Sequence, residues 1–134
     1  MVLLIRPPRI GKLFRLQAFS FILILQACVP SQAQRTESLR AFIRENLYST
    51  EHLAFGADPR AVNAARSRTT EKDIPVLITL LSDPTVAIVR VAQQVLVTYN
   101  DTALPHLTAA LDQHPAAAPV LQETIEMIQK RKTP

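Results

Sequence analysis

The chain has 134 residues, enough for one domain; 48% are apolar and 19% charged, which excludes disorder along its whole length. Aromatic residues make up 5% and tryptophan is absent, so a core must be built from Leu, Ile, Val and Ala, and a base-stacking platform is excluded. The net charge of +4 does not describe a basic domain: Arg6, Arg9, Lys12 and Arg15 precede an apolar run, and from residue 28 onward eleven basic side chains face eleven acidic ones. Nucleic-acid binding needs a positive field on the folded domain itself, and the balanced count supplies none overall.

The first predicted element is an export leader over residues 1–33. Residues 6–15 (RPPRIGKLFR) are basic, residues 16–27 (LQAFSFILILQA) are apolar, and a polar stretch of small residues follows. An apolar run of this length is short of the roughly 20 residues that span a bilayer as a helix. The positive flank orients the N-terminus to the cytoplasm and sends the remainder outward.

Leu25-Gln26-Ala27-Cys28 resembles the bacterial lipobox, whose terminal cysteine is diacylated before the leader is cut. Leu25, Ala27 and Cys28 match that pattern, and Gln26 departs from it. The resemblance implies lipidation at Cys28, and two acyl chains are what stable anchoring requires. Two other outcomes stay open: cleavage after Ala33, where Ser31-Gln32-Ala33 places small residues correctly and would release a soluble periplasmic protein, or a retained anchor. In lipoproteins of two-membrane bacteria an aspartate after the cysteine holds the protein in the inner membrane; Val29 at that position leans to the outer one. The expected location is therefore membrane-anchored, facing the periplasm or the cell exterior.

From residue 36 to 132 the apolar periodicity is helical. Leu39, Phe42, Ile43 and Leu47 form a first stripe, and Ile74, Leu77, Ile78 and Leu81 a second. Ile88, Ala92, Val95 and Tyr99 follow, then Leu104, Leu107 and Leu111, then Leu121, Ile125 and Ile128. The β-branched segment TVAIVRVAQQVLV reads as helix because of its length, its Gln93-Gln94 pair and its period. Asp58-Pro59, Asp83-Pro84 and His114-Pro115 are predicted to open helices, with a capping side chain ahead of a first-turn proline. Asp73 and Asp101 are predicted openers of two others, and Pro105 predicts an irregular start. Short turns predict antiparallel neighbours.

Residues 73–99 and 101–132 resemble each other: Ile74-Pro75 matches Leu104-Pro105 thirty residues on, Leu77 matches Leu107, and Leu81 matches Leu111. A fixed period near thirty in helix pairs signals an α-solenoid. The stretch IPVLITLLSDP…VRVAQQVL followed by NDTALPHLTAAL is similar to the HEAT-repeat family. That resemblance implies an all-α, right-handed stack with two clear repeats and a degenerate N-terminal unit over residues 36–68. It also implies a structural ladder between adjacent repeats, carried by the turn residue Asp83 and the second-helix residue Arg90. Gln113-His114 replaces the aspartate in the next repeat, and Leu121 falls near the arginine position, as suits a terminal unit.

Nothing in the sequence points to catalysis. His52, His106 and His114 lack metal-ligand spacing, the glycines Gly11 and Gly56 form no phosphate loop, and the lone Cys28 belongs to the leader. Glu123 and Glu126, with Lys130 one turn on, read as a solvated charged face. Lys130-Arg131-Lys132 reads first as the close of a helix C-terminus, where cations are favourable, and second as a basic tip that touches a membrane. The expectation is a non-enzymatic interaction or scaffold module without cofactor, metal or small-molecule substrate, which binds a protein or peptide. An enzyme or accessory of the HEAT-like lyase type is the alternative, by analogy of fold alone.

Overall fold

A computed structural model describes residues 30–47 and 56–134. Six α-helices account for most of these residues, and there is no strand among them. We number them α1 (Gln32–Asn46), α2 (Pro59–Arg68), α3 (Ile74–Leu80), α4 (Val86–Thr98), α5 (Leu104–Gln113) and α6 (Ala118–Lys132). Residues 1–29 of the leader read over 1–33, Cys28 included, lie outside the described residues, as does His52. No described helix is long and apolar enough to cross a membrane.

Helix α1 begins at Gln32, four residues ahead of the expected boundary at 36. Thr36 accounts for part of that extension: its hydroxyl is buried and donates to the Gln32 carbonyl at 2.8 Å. Thr36, Leu39 and Ile43 make the buried stripe, at the spacing of one helix face. Helix α2 opens as read, with the Asp58 side chain accepting from the Arg60 amide at 2.9 Å and Pro59 in the first turn. Its buried face is Ala61 and Ala65, both fully enclosed, and side chains this small let α2 approach its neighbours closely.

Helix α3 is only seven residues long, and five of them are buried. It touches α1, α4 and α5, so apolar side chains on nearly every side of it are covered. The β-branched segment is helical, as its period predicts. Eight residues of α4 are buried, more than a single stripe, because α4 contacts α1, α2, α3 and α6. The order of packing is regular: α1 pairs with α2, α3 with α4 and α5 with α6, while α1, α3 and α5 follow one another as neighbours and so do α2, α4 and α6.

Several helix starts differ from the sequence reading, and the three aspartates expected as openers bond elsewhere. Asp83-Pro84 does not open α4. The helix starts at Val86 behind Thr85, and the Asp83 carboxylate accepts from the Thr85 amide at 2.9 Å one step earlier. Asp73 makes no side-chain cap to α3; it closes a capping box with Thr70 around a 3-10 turn over Glu71–Asp73. Asp101 sits inside a second 3-10 turn, Asn100–Thr102, and α5 starts behind Ala103 without a side-chain cap. Asn100 has φ 51°, the left-handed conformation asparagine tolerates, and it turns the chain out of α4. His114-Pro115 opens a third 3-10 turn, Pro115–Ala117, and α6 begins only at Ala118.

Candidate functional site

The polar residues that join one helix pair to the next make up the candidate site. Asp83 lies in the turn after α3, and its side chain is 1% exposed. A buried carboxylate needs a cationic partner, and Arg40 of α1 supplies it, Nε donating to Asp83 Oδ2. Burial pulls the Arg40 pKa down, but the hydrogen bonds and charges of Asp83 and Glu37 outweigh it and leave the guanidinium raised. Arg40 also reaches Glu37 one turn back.

Arg90 looks the other way along the chain. Its Nη1 donates to both carboxylate oxygens of Glu123 in α6 at 3.3 Å and to Gln93 Oε1 at 3.1 Å. Gln93 is 1% exposed, and its amide nitrogen donates to Glu123 Oε2 at 3.0 Å. The Gln93 bond holds the Glu123 carboxyl below its ordinary pKa; partial burial opposes this, and Arg90 adds to the lowering. Asp83 and Arg90 thus reach different neighbours, Asp83 back to α1 and Arg90 forward to α6. Glu123 and Glu126 are both exposed, as the solvated face read from the sequence has it, and Glu123 in addition bridges to α4.

The seam between α2 and α4 has its own bridge. Tyr99 is buried, its hydroxyl 2.9 Å from the Thr69 hydroxyl, and Arg66 Nη1 donates to it at 3.2 Å. The Arg66 guanidinium also lies over the Tyr99 ring, 4.2 Å from its centroid. The two seams share their spacing. An arginine reaches a partner 33 residues on (Arg66 to Tyr99, Arg90 to Glu123), and a neutral polar side chain reaches the same partner from 30 (Thr69, Gln93). Sequence reading missed Arg40 and Thr69, and named Gln93 and Glu123 without pairing them. The thirty-residue offset of Pro75 and Pro105 was the signal that could have found Gln93 with Glu123 and Thr69 with Tyr99. Nothing local marks Arg40, 43 residues from Asp83.

Two shallow clefts open over α3, where the short helix lies between longer neighbours. One, of about 290 Å³, is lined among others by Gln32, Ile78, Thr79, His106 and His114. The other, of about 380 Å³, shares Gln32 and Thr79 and runs along α1 to Arg40. His106 and His114 are thus brought to one cleft, but no group of three metal-ligating side chains exists among the described residues. The chain matches no family model, no curated protein and no solved structure.

Proposed function

We propose that the chain is an exported interaction module, tethered to a membrane through lipidated Cys28, whose folded part is a short HEAT-like α-solenoid of three helix pairs. The observation that carries the architecture is the repeated seam: both α2–α4 and α4–α6 are bridged at offsets of 33 and 30 residues. A chain whose successive units are equivalent by about thirty residues produces such spacing. Asp83 and Arg90 then act as tie points between units, with Arg40 and Glu123 as their partners. The clefts over α3 are the face we assign to a protein or peptide partner, with Ile78 at the floor and polar side chains at the rim.

The case for the tether rests on the leader and on Cys28. The start of α1 also favours the cysteine over the alternative cut after Ala33, because that cut would remove Gln32, whose carbonyl receives the buried Thr36 hydroxyl. Cells producing the protein and fed labelled palmitate should incorporate label into the wild-type chain and none into Cys28→Ser. Label-free wild-type protein recovered in a soluble fraction would overturn the tether.

A further inference from the structure

Three contacts fix which ends of the helices lie together. Arg35 in the first turn of α1 pairs with Asp73 at the start of α3. Arg66, near the end of α2, is bonded to Tyr99 at the end of α4. Lys132, the last residue of α6, pairs with Asp101 in the turn leading into α5. One end of the helical unit therefore carries the beginnings of α1, α3 and α5 and the ends of α2, α4 and α6.

That end is basic. It gathers Arg35, Arg66, Lys72, Lys130, Arg131 and Lys132, against the carboxylates Glu71, Asp73 and Asp101. The opposite end, with the turn after α3 and the end of α5, carries Glu45, Asp58, Asp83 and Asp112 beside Arg44 and Arg60. The balanced count of the domain thus hides a local excess of cations at one end. The cations at the basic end are also presented outward. The Arg66 guanidinium lies over the Tyr99 ring, 4.2 Å from its centroid, so stacking holds it without neutralising it. Lys72, Lys130 and Arg131 are exposed and enter no ion pair among the described residues.

Gln32, the first residue of α1, lies at the same end. Four peptide steps separate Cys28 from Gln32, a reach of at most about 14 Å. Taken with the lipid tether proposed above, on which this inference rests, the geometry points to the basic end as a platform that lies against anionic phospholipid headgroups. Phosphate oxygens accept the N–H groups of Arg66 and Arg131 and the ammonium groups of Lys72 and Lys130. The tether and the platform together hold the helix axes steep to the surface and leave the opposite end, with the turn after α3, facing outward. A short tether alone would leave the unit free to tumble; the charge at its base sets its orientation.

The test uses the full chain with Cys28→Ser, so that a single reporter cysteine can be placed and lipidation plays no part. Quenching is read on chain that co-floats with the vesicles. A fluorophore is attached at Thr133→Cys on the basic end or at Asp112→Cys on the opposite end, and quenching by aqueous acrylamide is measured. On vesicles of phosphatidylcholine with one quarter phosphatidylglycerol, the label at 133 should be quenched several-fold less than the label at 112. The difference should disappear on phosphatidylcholine alone, in 0.5 M salt, and in Lys72→Gln/Lys130→Gln/Arg131→Gln, whose helical circular dichroism serves as the folding control. Equal quenching at the two positions, or shielding that ignores lipid charge, would overturn the platform. So would tight binding of a single-stranded oligonucleotide without lipid-dependent shielding, which would reassign the charge to nucleic acid. Failure of palmitate labelling leaves these readouts intact and overturns the tether alone.

Discussion

The guanidinium of Arg40 in α1 and the carboxylate of Asp83 in the turn after α3 form an ion pair whose acidic member is 1% exposed. The pair spans 43 residues and fastens the first helix pair to the second. Removing the cation alone strands a buried charge, which the Thr85 amide satisfies only in part. Arg40→Ala should therefore cost about 3 kcal/mol, near the lower edge of what breaking a buried pair costs. Arg40→Met/Asp83→Asn should recover more than half of that loss. Denaturant melts of the single and double variants check this; an additive double variant would mean the two side chains do not act as a pair.

The Glu123 carboxylate predicts a pH dependence of definite sign. Its folded-state pKa is lowered by Gln93, against partial burial, with Arg90 adding to the effect. The stabilisation it gives is present above the ordinary glutamate value of about 4.3 and is lost as pH falls through the lower folded-state value. Glu123 is half exposed, so solvent screening keeps the effect at or below about 1 kcal/mol. Melting temperature should fall between pH 5 and pH 3, and Glu123→Gln should flatten that decline.

Tyr99→Phe removes the hydroxyl that both Thr69 and Arg66 contact and leaves the ring in place. Thr69 is buried, though its hydroxyl also points to the Arg66 carbonyl at 3.4 Å. A loss of about 1 kcal/mol is expected, as for one net hydrogen bond. Thr69→Val in the Tyr99→Phe background should cost little more, because the lost partner is then replaced by an apolar group. Equilibrium unfolding in urea reads both.

Deleting residues 36–68 removes Leu39, Ile43, Ala61 and Ala65, all buried against α3 or α4 or within the first pair. The covered faces of α3 and α4 then meet water, and the remaining two pairs are few for a stable stack. The shortened chain should aggregate, as read by light scattering at micromolar concentration. A monomeric variant with unchanged melting would show that the first pair is not part of the stack.

The helices were legible because their apolar periods are strong: Ile74, Leu77, Ile78 and Leu81 read as one stripe and are all buried. The helix starts were less so. Asp73, Asp83 and Asp101 each precede a helix and carry the right side chain for a cap, but a carboxylate that can reach Arg35, Arg40 or Lys132 is drawn to the charge. Long-range pairing of this kind has no local signature, which is why Arg40 was missed and the bridge made by Glu123 was not foreseen. The excess of cations at one end was hidden for a related reason: a linear count sums to zero, and only the alternation of helix directions sorts the cations to one end.

The central claim is tested most directly by the mass of the mature N-terminus isolated from cells. The tethered reading predicts a chain beginning at diacylglyceryl-modified Cys28. A chain beginning at unmodified Gln34, or one retaining Met1 and the whole leader, would contradict it.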